Sequence, residues 1–288
     1  MSGRGAPTVA IAVGRASAPR DSDTPLLAEA LEARSVAARV VAWDDPDGGW
    51  DAFDVVVVRS TWDYVSRLEE FLTWAESVPR LVNPADVLRW NTDKSYLRDL
   101  ERSGIPVVPT AWFSPGQPLD PPEHDFVVKP SVGNGARGSA RYRAGDRSAV
   151  AHVERLHAEG VSAIVQPFLS SIEHRPETGV VVIGGQASHA IAKPLQLGRV
   201  LRDDSEEDRG ITRTDAVREE LAVAERALDA VPGGSARILY ARVDMVRDDA
   251  GRLAVMELEL TEPALFLALE PGSADRLAAA VVALLDEQ

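Results

Sequence analysis

Tyr240-Ala241-Arg242-Val243-Asp244-Met245-Val246, a turn from Arg247 to Arg252, and Leu253-Ala254-Val255-Met256-Glu257-Leu258-Glu259-Leu260 form the stretch that decides the fold. Two alternating runs around Asp-Asp-Ala-Gly predict a β-hairpin. With the turn centred between Ala250 and Gly251, Asp244 faces Glu257 and Arg242 faces Glu259. Alternation sends these four side chains to one face. It sends Ala241, Val243, Met245, Met256, Leu258 and Leu260 to the other, which reads as core. Like charges opposite one another on paired strands repel, so three carboxylates beside one arginine need an explanation. A hard cation such as Mg²⁺, held by carboxylate oxygens alongside substrate phosphates, is one. A solvated hairpin with Arg242 paired to Glu259 and Asp244 in water is the other.

Working outward, 288 residues allow two domains or three small ones, each with a core. A hydrophobic fraction of 45% and a charged fraction of 26% place the chain among soluble globular proteins. The net charge of −14 argues against a nucleic-acid partner and against an anionic membrane surface. The absence of cysteine excludes disulfides, thiolate metal sites and a cysteine nucleophile. The five histidines show no HExxH spacing, which disfavours a zinc enzyme. The apolar run Leu277 to Leu285 is too short to span a bilayer, and Val9 to Val13 is too short for a signal segment. A cytoplasmic protein is expected.

Upstream of the hairpin, Thr8 to Val13, Val36 to Trp43 and Asp54 to Val58 read as strands, and a helix opens at Thr24-Pro25. The unbroken valines of the third strand suggest burial on both faces, and the alternation predicts a Rossmann-like parallel α/β unit. Gly14-Arg15-Ala16-Ser17 lacks the second glycine of a dinucleotide fingerprint, so a nicotinamide-dependent oxidoreductase is disfavoured. Arg59-Ser60-Thr61-Trp62-Asp63-Tyr64 follows the third strand, where α/β sheets usually bind ligands, or is an ordinary loop with Trp62 packed inward. Ser66-Arg67-Leu68-Glu69 reads as a capping box opening a helix.

Thr92 is expected to cap another helix, with Lys94 in its first turn. A cation there suits an anion drawn to the helix N-terminus, or is a solvated surface lysine. Pro115, Pro118, Pro121 and Pro122 mark a connector. Phe126 to Pro130 is a strand carrying Lys129, and it runs into a loop containing Gly133, Gly135, Arg137 and Gly138 whose amides can fold over phosphates. A helix from Asp146 to His157 and a strand from Ala163 to Leu169 follow. A hairpin then pairs Gly179–Ile183 with Ala187–Lys193. Residues 197–213 are highly charged and aperiodic, reading as a lid or binding loop in which Arg199, Arg202, Arg209 and Arg213 either meet an anionic ligand or balance nearby acids. Thr214 is expected to cap a helix, and a last helix runs from Ser273 to Leu285.

Lys94, Lys129 before a glycine loop, Gln166-Pro167-Phe168-Leu169, Lys193, and Arg242, Asp244, Glu257 and Glu259 form an ordered series over residues 90 to 265. That order resembles the ATP-grasp superfamily, which includes glutathione synthetase and D-alanine–D-alanine ligase. The Arg59–Tyr64 stretch, Trp90 to Lys94, Ser188 to Lys193 and Glu257 to Pro263 resemble the O-ureido-serine cyclo-ligase branch. The resemblance implies an α/β (α+β) protein in three parts: an N-terminal Rossmann-like domain over 1–90, a lobe with the glycine loop over 91–169, and a lobe with the metal site over 170–288. It implies that Lys94 and Lys129 hold ATP phosphates under the glycine loop, and that Gln166, Pro167, Phe168 and Leu169 line an adenine pocket. Asp244, Glu257 and Glu259 would bind Mg²⁺, Lys193 would add charge at the nucleotide, and Arg242 would neutralise the intermediate. D-alanine–D-alanine ligase has asparagine at the Glu259 position, so this chain carries an extra charge in its metal set. The implied activity joins a carboxylate to an amine through an acylphosphate, with ADP and phosphate released, on a small amino-acid-like substrate. Arg59, Ser60, Trp62, Asp63, Arg209 and Arg213 are the candidates for contacting that substrate. Relatives are often homodimers. A nucleotide-binding protein without turnover is the alternative.

Overall fold

Valine-rich runs with no polar interruption can be satisfied only by burial on both faces, and the N-terminal strands meet that requirement. In the computed structural model, which describes residues 6–197 and 210–286, β1 (Thr8–Val13), β2 (Ala37–Ala42), β3 (Val55–Val58) and β4 (Leu81–Val82) make a parallel sheet ordered β2-β1-β3-β4. Val55 and Val57 face α1 (Asp23–Glu32), while Val56 and Val58 face α2 (Leu68–Ser77) and α3 (Ala85–Thr92). After α4 (Tyr96–Arg102), the strands β5 (Ala111–Phe113), β6 (Phe126–Pro130), β7 (Ala140–Tyr142) and β8 (Ala163–Pro167) form an antiparallel sheet ordered β5-β8-β6-β7, backed by α5 (Ser148–Ala158).

The C-terminal sheet is antiparallel and ordered β11-β10-β9-β12-β13. Its strands are β9 (Glu177–Ile183), β10 (Gln186–Lys193), β11 (Thr212–Thr214), β12 (Tyr240–Arg247) and β13 (Leu253–Glu259). One face packs on α6 (Arg218–Asp229). The other packs on α7 (Ser273–Asp286), whose Leu277 and Val281 share one apolar cluster with Val181, Tyr240 and the N-terminal Val9, Ile11 and Leu27. The first and last parts of the chain therefore share a core.

The β12–β13 hairpin keeps the expected register at the end that matters: Arg242 faces Glu259, Val243 faces Leu258, and Asp244 faces Glu257. A bulge after Asp244 shifts the rest by one residue, so that Met245 faces Val255. Val255 takes the core position expected for Met256, and Met256 turns to the charged face. Bulges re-aim side chains in this way and recur beside active sites.

Three expected helix starts are displaced, two by tertiary contacts and one by a local bond. Thr92 ends α3 instead of opening a helix, because Asp93 pairs with Val132 and the Lys94 N–H bonds the Ser131 carbonyl at 2.8 Å. Lys94 consequently sits in a break between two helices. Thr214 is drawn into β11 opposite Ala190, and α6 begins at Arg218, with Glu220 accepting the Val217 N–H at 2.9 Å. Ser66 donates to the Asp63 carbonyl at 3.1 Å and does not cap α2.

The outer side of β13 would be an open sheet edge, a template for unwanted strand pairing. It is closed by side chains and a short main-chain ladder. Tyr96 accepts the Leu258 N–H at 2.9 Å, and Asn91 accepts the Leu260 N–H at 2.8 Å while donating to the Leu258 carbonyl at 2.7 Å. Val255 bonds Pro106 and Val108 through its N–H and carbonyl. Buried Asn83 donates to the carbonyls of Tyr240 and Leu260 and accepts the Leu239 N–H. These bonds fix where Glu257 and Glu259 point. Replacing Asn91 by alanine strands buried backbone groups and is expected to lower the unfolding free energy by about 2–3 kcal/mol. A urea midpoint that does not move would show that β13 holds its place without Asn91.

Candidate active site

The two antiparallel sheets, with Trp62 from the segment after β3, line one cleft of about 430 Å³. At its floor Asp244 is fully buried and receives Arg242 in two bonds, Nε to Oδ1 at 2.8 Å and Nη2 to Oδ2 at 3.0 Å. The Lys193 ammonium also donates to Asp244 Oδ2 and lies 3.2 Å from Glu177. Burial alone would raise the Asp244 carboxyl, but Arg242 and Lys193 outweigh it and hold its pKa down at about 2. Arg242 reaches Glu259 as well and donates to the Ala264 carbonyl at 2.7 Å. Burial is the largest influence on Glu259, and with Asp244 and Glu257 nearby it pushes the carboxyl up to about 7 against the pull of Arg242.

Carboxylate oxygens of Asp244, Glu257 and Glu259 come within 4.8 Å of one another. Oxygen donors this close, with one carboxyl pushed up by burial and by its acidic neighbours, fit a hard divalent cation, which would relieve the repulsion. Opposite them, Lys94 lies 3.0 Å from Glu257 and donates to the Gly133 carbonyl at 2.7 Å. Lys94 was expected in a helix; the break that holds it instead ties it to the glycine loop. Among the described residues the Lys129 ammonium finds only Met256 Sδ, 3.3 Å away and a weak acceptor. Burial pushes Lys129 down, as do Lys94 and Lys193 beside it, despite Glu257 and Glu177. Such a cation suits an anionic ligand.

Gly133, Gly135 and Arg137 line the cleft on one side, and Gln166, Pro167, Phe168 and Leu169 line it on another. Gly138 sits at the foot of the loop with φ +68°, and its carbonyl meets His152 Nε2 at 3.0 Å. That bond puts the imidazole proton on Nε2, so Nδ1 accepts from the Tyr142 hydroxyl at 2.9 Å. Trp62 also lines the cleft, and its carbonyl accepts from Asn134 at 2.7 Å.

The other substrate candidates lie elsewhere. Arg59, 1% exposed, donates to Asp23 at 3.2 Å and to the Pro263 carbonyl at 2.8 Å. Asp23 in turn accepts the N–H groups of Leu265, Phe266 and Leu267, so this pair shapes the loop that carries Ala264 to Arg242. Ser60 is buried beside it, Asp63 bonds Trp43 and Arg67, and Arg213 pairs with Glu270 and Asp215. None of these four lines the cleft. Arg199, Arg202 and Arg209 lie outside the described residues. Sequence reasoning passed over Glu177, Met256 and Glu262, all of which line the cleft. Glu177 faces Lys193 across the β9–β10 pair, a relation concealed by the register shift between Ala187 and His189.

A cleft between sheets, with lysines opposite an acidic triad and a glycine loop over it, defines an enzyme that handles a nucleotide triphosphate. The family model described as the N-terminal domain of D-cycloserine synthetase DcsG matches residues 9–83. The cycloserine biosynthesis protein DcsG of Streptomyces lavendulae is 34% identical over 299 aligned positions, covering 95% of this chain and 97% of that protein. The crystal structure of D-cycloserine synthetase DcsG superposes with a TM-score of 0.87 at 34% identity, covering 96% and 99% of the two chains. The ATP-grasp ligase PsnB in complex with minimal precursor, Mg and ADP shares the fold, with a TM-score of 0.61 at 19% identity over 96% and 98%. The chain belongs to the ATP-grasp ligases, in the DcsG family, and is an ATP-dependent carbon–nitrogen ligase. This membership sets aside the oxidoreductase reading. Among the described residues no helix is long and apolar enough to cross a membrane.

Gly179 lies beneath Asp244, and a Cβ there would sit 2.7 Å from Asp244 Oδ1 and 3.0 Å from Ile191 Cγ1. Gly179→Ala is therefore expected to displace the acidic floor and lower ligase turnover at least about tenfold, equivalent to ~1.4 kcal/mol. Circular dichroism should show the fold retained. Full activity in the variant would mean that Asp244 needs no fixed position.

Proposed function

We propose that this chain uses ATP and Mg²⁺ to activate the carboxylate of a small amino-acid-like substrate and join it to an amine, in antibiotic biosynthesis. The observation that carries this is the approach of Asp244, Glu257 and Glu259 to within 4.8 Å of one another, with Glu257 and Glu259 lining the same cleft as Lys94, Lys129 and Lys193. The similarity to a cycloserine biosynthesis protein supports the pathway class and favours ring closure within one molecule over joining two.

In this reading Lys94 and Lys129 bind the triphosphate, with Gly133, Gly135, Arg137 and Gly138 closing over it through backbone amides. Gln166 to Leu169 hold the base. Asp244, Glu257 and Glu259 would hold Mg²⁺, which when bound neutralises phosphate charge. Hydroxide is a poor leaving group, so the substrate carboxylate first takes the γ-phosphoryl group as an acylphosphate, and amine attack then expels phosphate. Phosphoryl transfer calls for positioning and charge neutralisation more than for a protein nucleophile. Lys193 and Arg242 supply that charge, and the Ala264 carbonyl fixes the direction of Arg242. The glycine loop keeps water from the activated acyl group.

Incubation with ATP, Mg²⁺ and O-ureido-serine or other amino acids should release ADP and phosphate in a substrate-dependent way and stop on chelation of the metal. Glu257→Gln is expected to lower kcat about 100-fold or more, the usual scale for losing one electrostatic stabiliser. Release of AMP, or tight Mg·ATP binding with no turnover across the panel, would defeat this reading; the second result would leave a nucleotide-binding protein whose metal set is altered at Glu259.

A further inference from the structure

The peptide from Pro263 to Phe266 belongs to no helix or strand, yet side chains claim most of its polar main-chain groups. Arg59 donates to the Pro263 carbonyl, Arg242 to that of Ala264, and His189 Nε2 to that of Leu265 at 2.8 Å. Asp23 receives the N–H groups of Leu265 and Phe266. Phe266 is bent into the left-handed region, φ +53°, which a bulky residue adopts only where its surroundings impose it.

His189 reaches this turn from β10, whose two-residue period puts it on one face with Ile191 and Lys193. Lys193 bonds Asp244, Ile191 shares an apolar cluster with Phe266, and His189 bonds Leu265. A carbonyl can only accept, so the imidazole carries its proton on Nε2. Nδ1 then accepts from the Ser188 hydroxyl at 3.0 Å, and Ser188 in turn receives Arg276. Burial holds the imidazole below the ordinary histidine range, so it is uncharged near neutral pH. His189 does not line the cleft.

What the turn supports is the Arg242 guanidinium, a planar group with five N–H donors. Four are spent: the Nε hydrogen and one Nη2 hydrogen on Asp244, the other Nη2 hydrogen on Glu259, and one Nη1 hydrogen on Ala264. Among the described residues the last Nη1 hydrogen has no acceptor, and Arg242 lines the cleft. Because the fork is planar, Asp244 and the Ala264 carbonyl together decide where that hydrogen points. The Phe266 ring lies 5.5 Å from the guanidinium carbon and backs the group.

We propose that His189 is a positioning residue for ligation: by holding the Leu265 carbonyl it fixes the turn that aims the unspent N–H of Arg242 at the reacting acyl group. This rests on the ligase reading and adds to it a residue that meets neither nucleotide nor substrate. No bond is made or broken at His189.

The test is a double-mutant cycle with wild type, His189→Leu, His189→Gln, Arg242→Lys and the His189→Leu/Arg242→Lys pair. ADP release is followed with O-ureido-serine, serine and alanine, in single turnovers with enzyme in excess where it is slow. Calorimetry with Mg·AMP-PNP comes first, and the His189 variants are expected to bind within about twofold of wild type. His189→Leu should lower kcat about tenfold or more with KM for ATP unchanged, the scale set by a misplaced catalytic group. His189→Gln, whose amide can still donate to Leu265, should recover most of that loss. In Arg242→Lys, which has no planar fork to aim, His189→Leu should cost less than about twofold further. Full kcat in His189→Leu, a His189→Gln no better than His189→Leu, or losses that simply multiply in the pair would each overturn the proposal. Weakened Mg·AMP-PNP binding in His189→Leu would also overturn it, in favour of a histidine that only stabilises the fold. Failure of wild type to bind Mg·AMP-PNP, or to release ADP with any of the three amino acids, would instead overturn the ligase reading itself.

Discussion

A carboxylate with no access to water survives in ionised form only if cations are locked around it, and Asp244 is such a group. Arg242 two residues along the same strand and Lys193 on the far side of β9 close on it, and both then reach outward, Arg242 to Glu259 and Lys193 to Glu177. The result is a chain of alternating charges laid across the C-terminal sheet. Its order depends on strand register, since a slip by one residue would turn Asp244 into the apolar layer and Met245 into the cleft. The polar clamps on β13 from Asn83, Asn91 and Tyr96 serve that register.

The remaining architecture places ligand-facing groups against this fixed base. The break between α3 and α4 brings Lys94 to Glu257, and the main-chain bond from Lys94 to Ser131 joins the break to the start of the glycine loop. The bulge after Asp244 brings Met256 beneath Lys129. Neither device is regular secondary structure. Each interrupts an element where a side chain has to be redirected.

The alternating charge in β12 and β13 was legible because a two-residue period with a Gly-containing turn has one sensible pairing, and Arg242, Asp244, Glu257 and Glu259 share a face as read. Met256 was misassigned because a bulge leaves no mark on hydrophobic periodicity. Thr92 looked like a helix cap for the same local reason; the pairing of Asp93 with Val132, which ends α3 there, links positions far apart in sequence. Arg59 shows the limit most clearly. An arginine after a buried parallel strand reads as a ligand contact, and nothing near it announces that Asp23 and Pro263 will hold it inside. Glu262 was passed over because a Glu-Pro pair at a strand end reads as a stop signal.

Asp23 and Arg59 belong to the first helix and the loop after the third strand, yet they shape the peptide from Pro263 to Leu267. The N-terminal unit is accordingly no interchangeable module. Grafting that unit from a relative onto this chain would have to carry both residues and the matching 263–267 segment as one inherited set, and a chimera that split them would leave a charge without its mate in the interior. Drift at position 23 is therefore coupled to the geometry of a site more than 200 residues further along the chain.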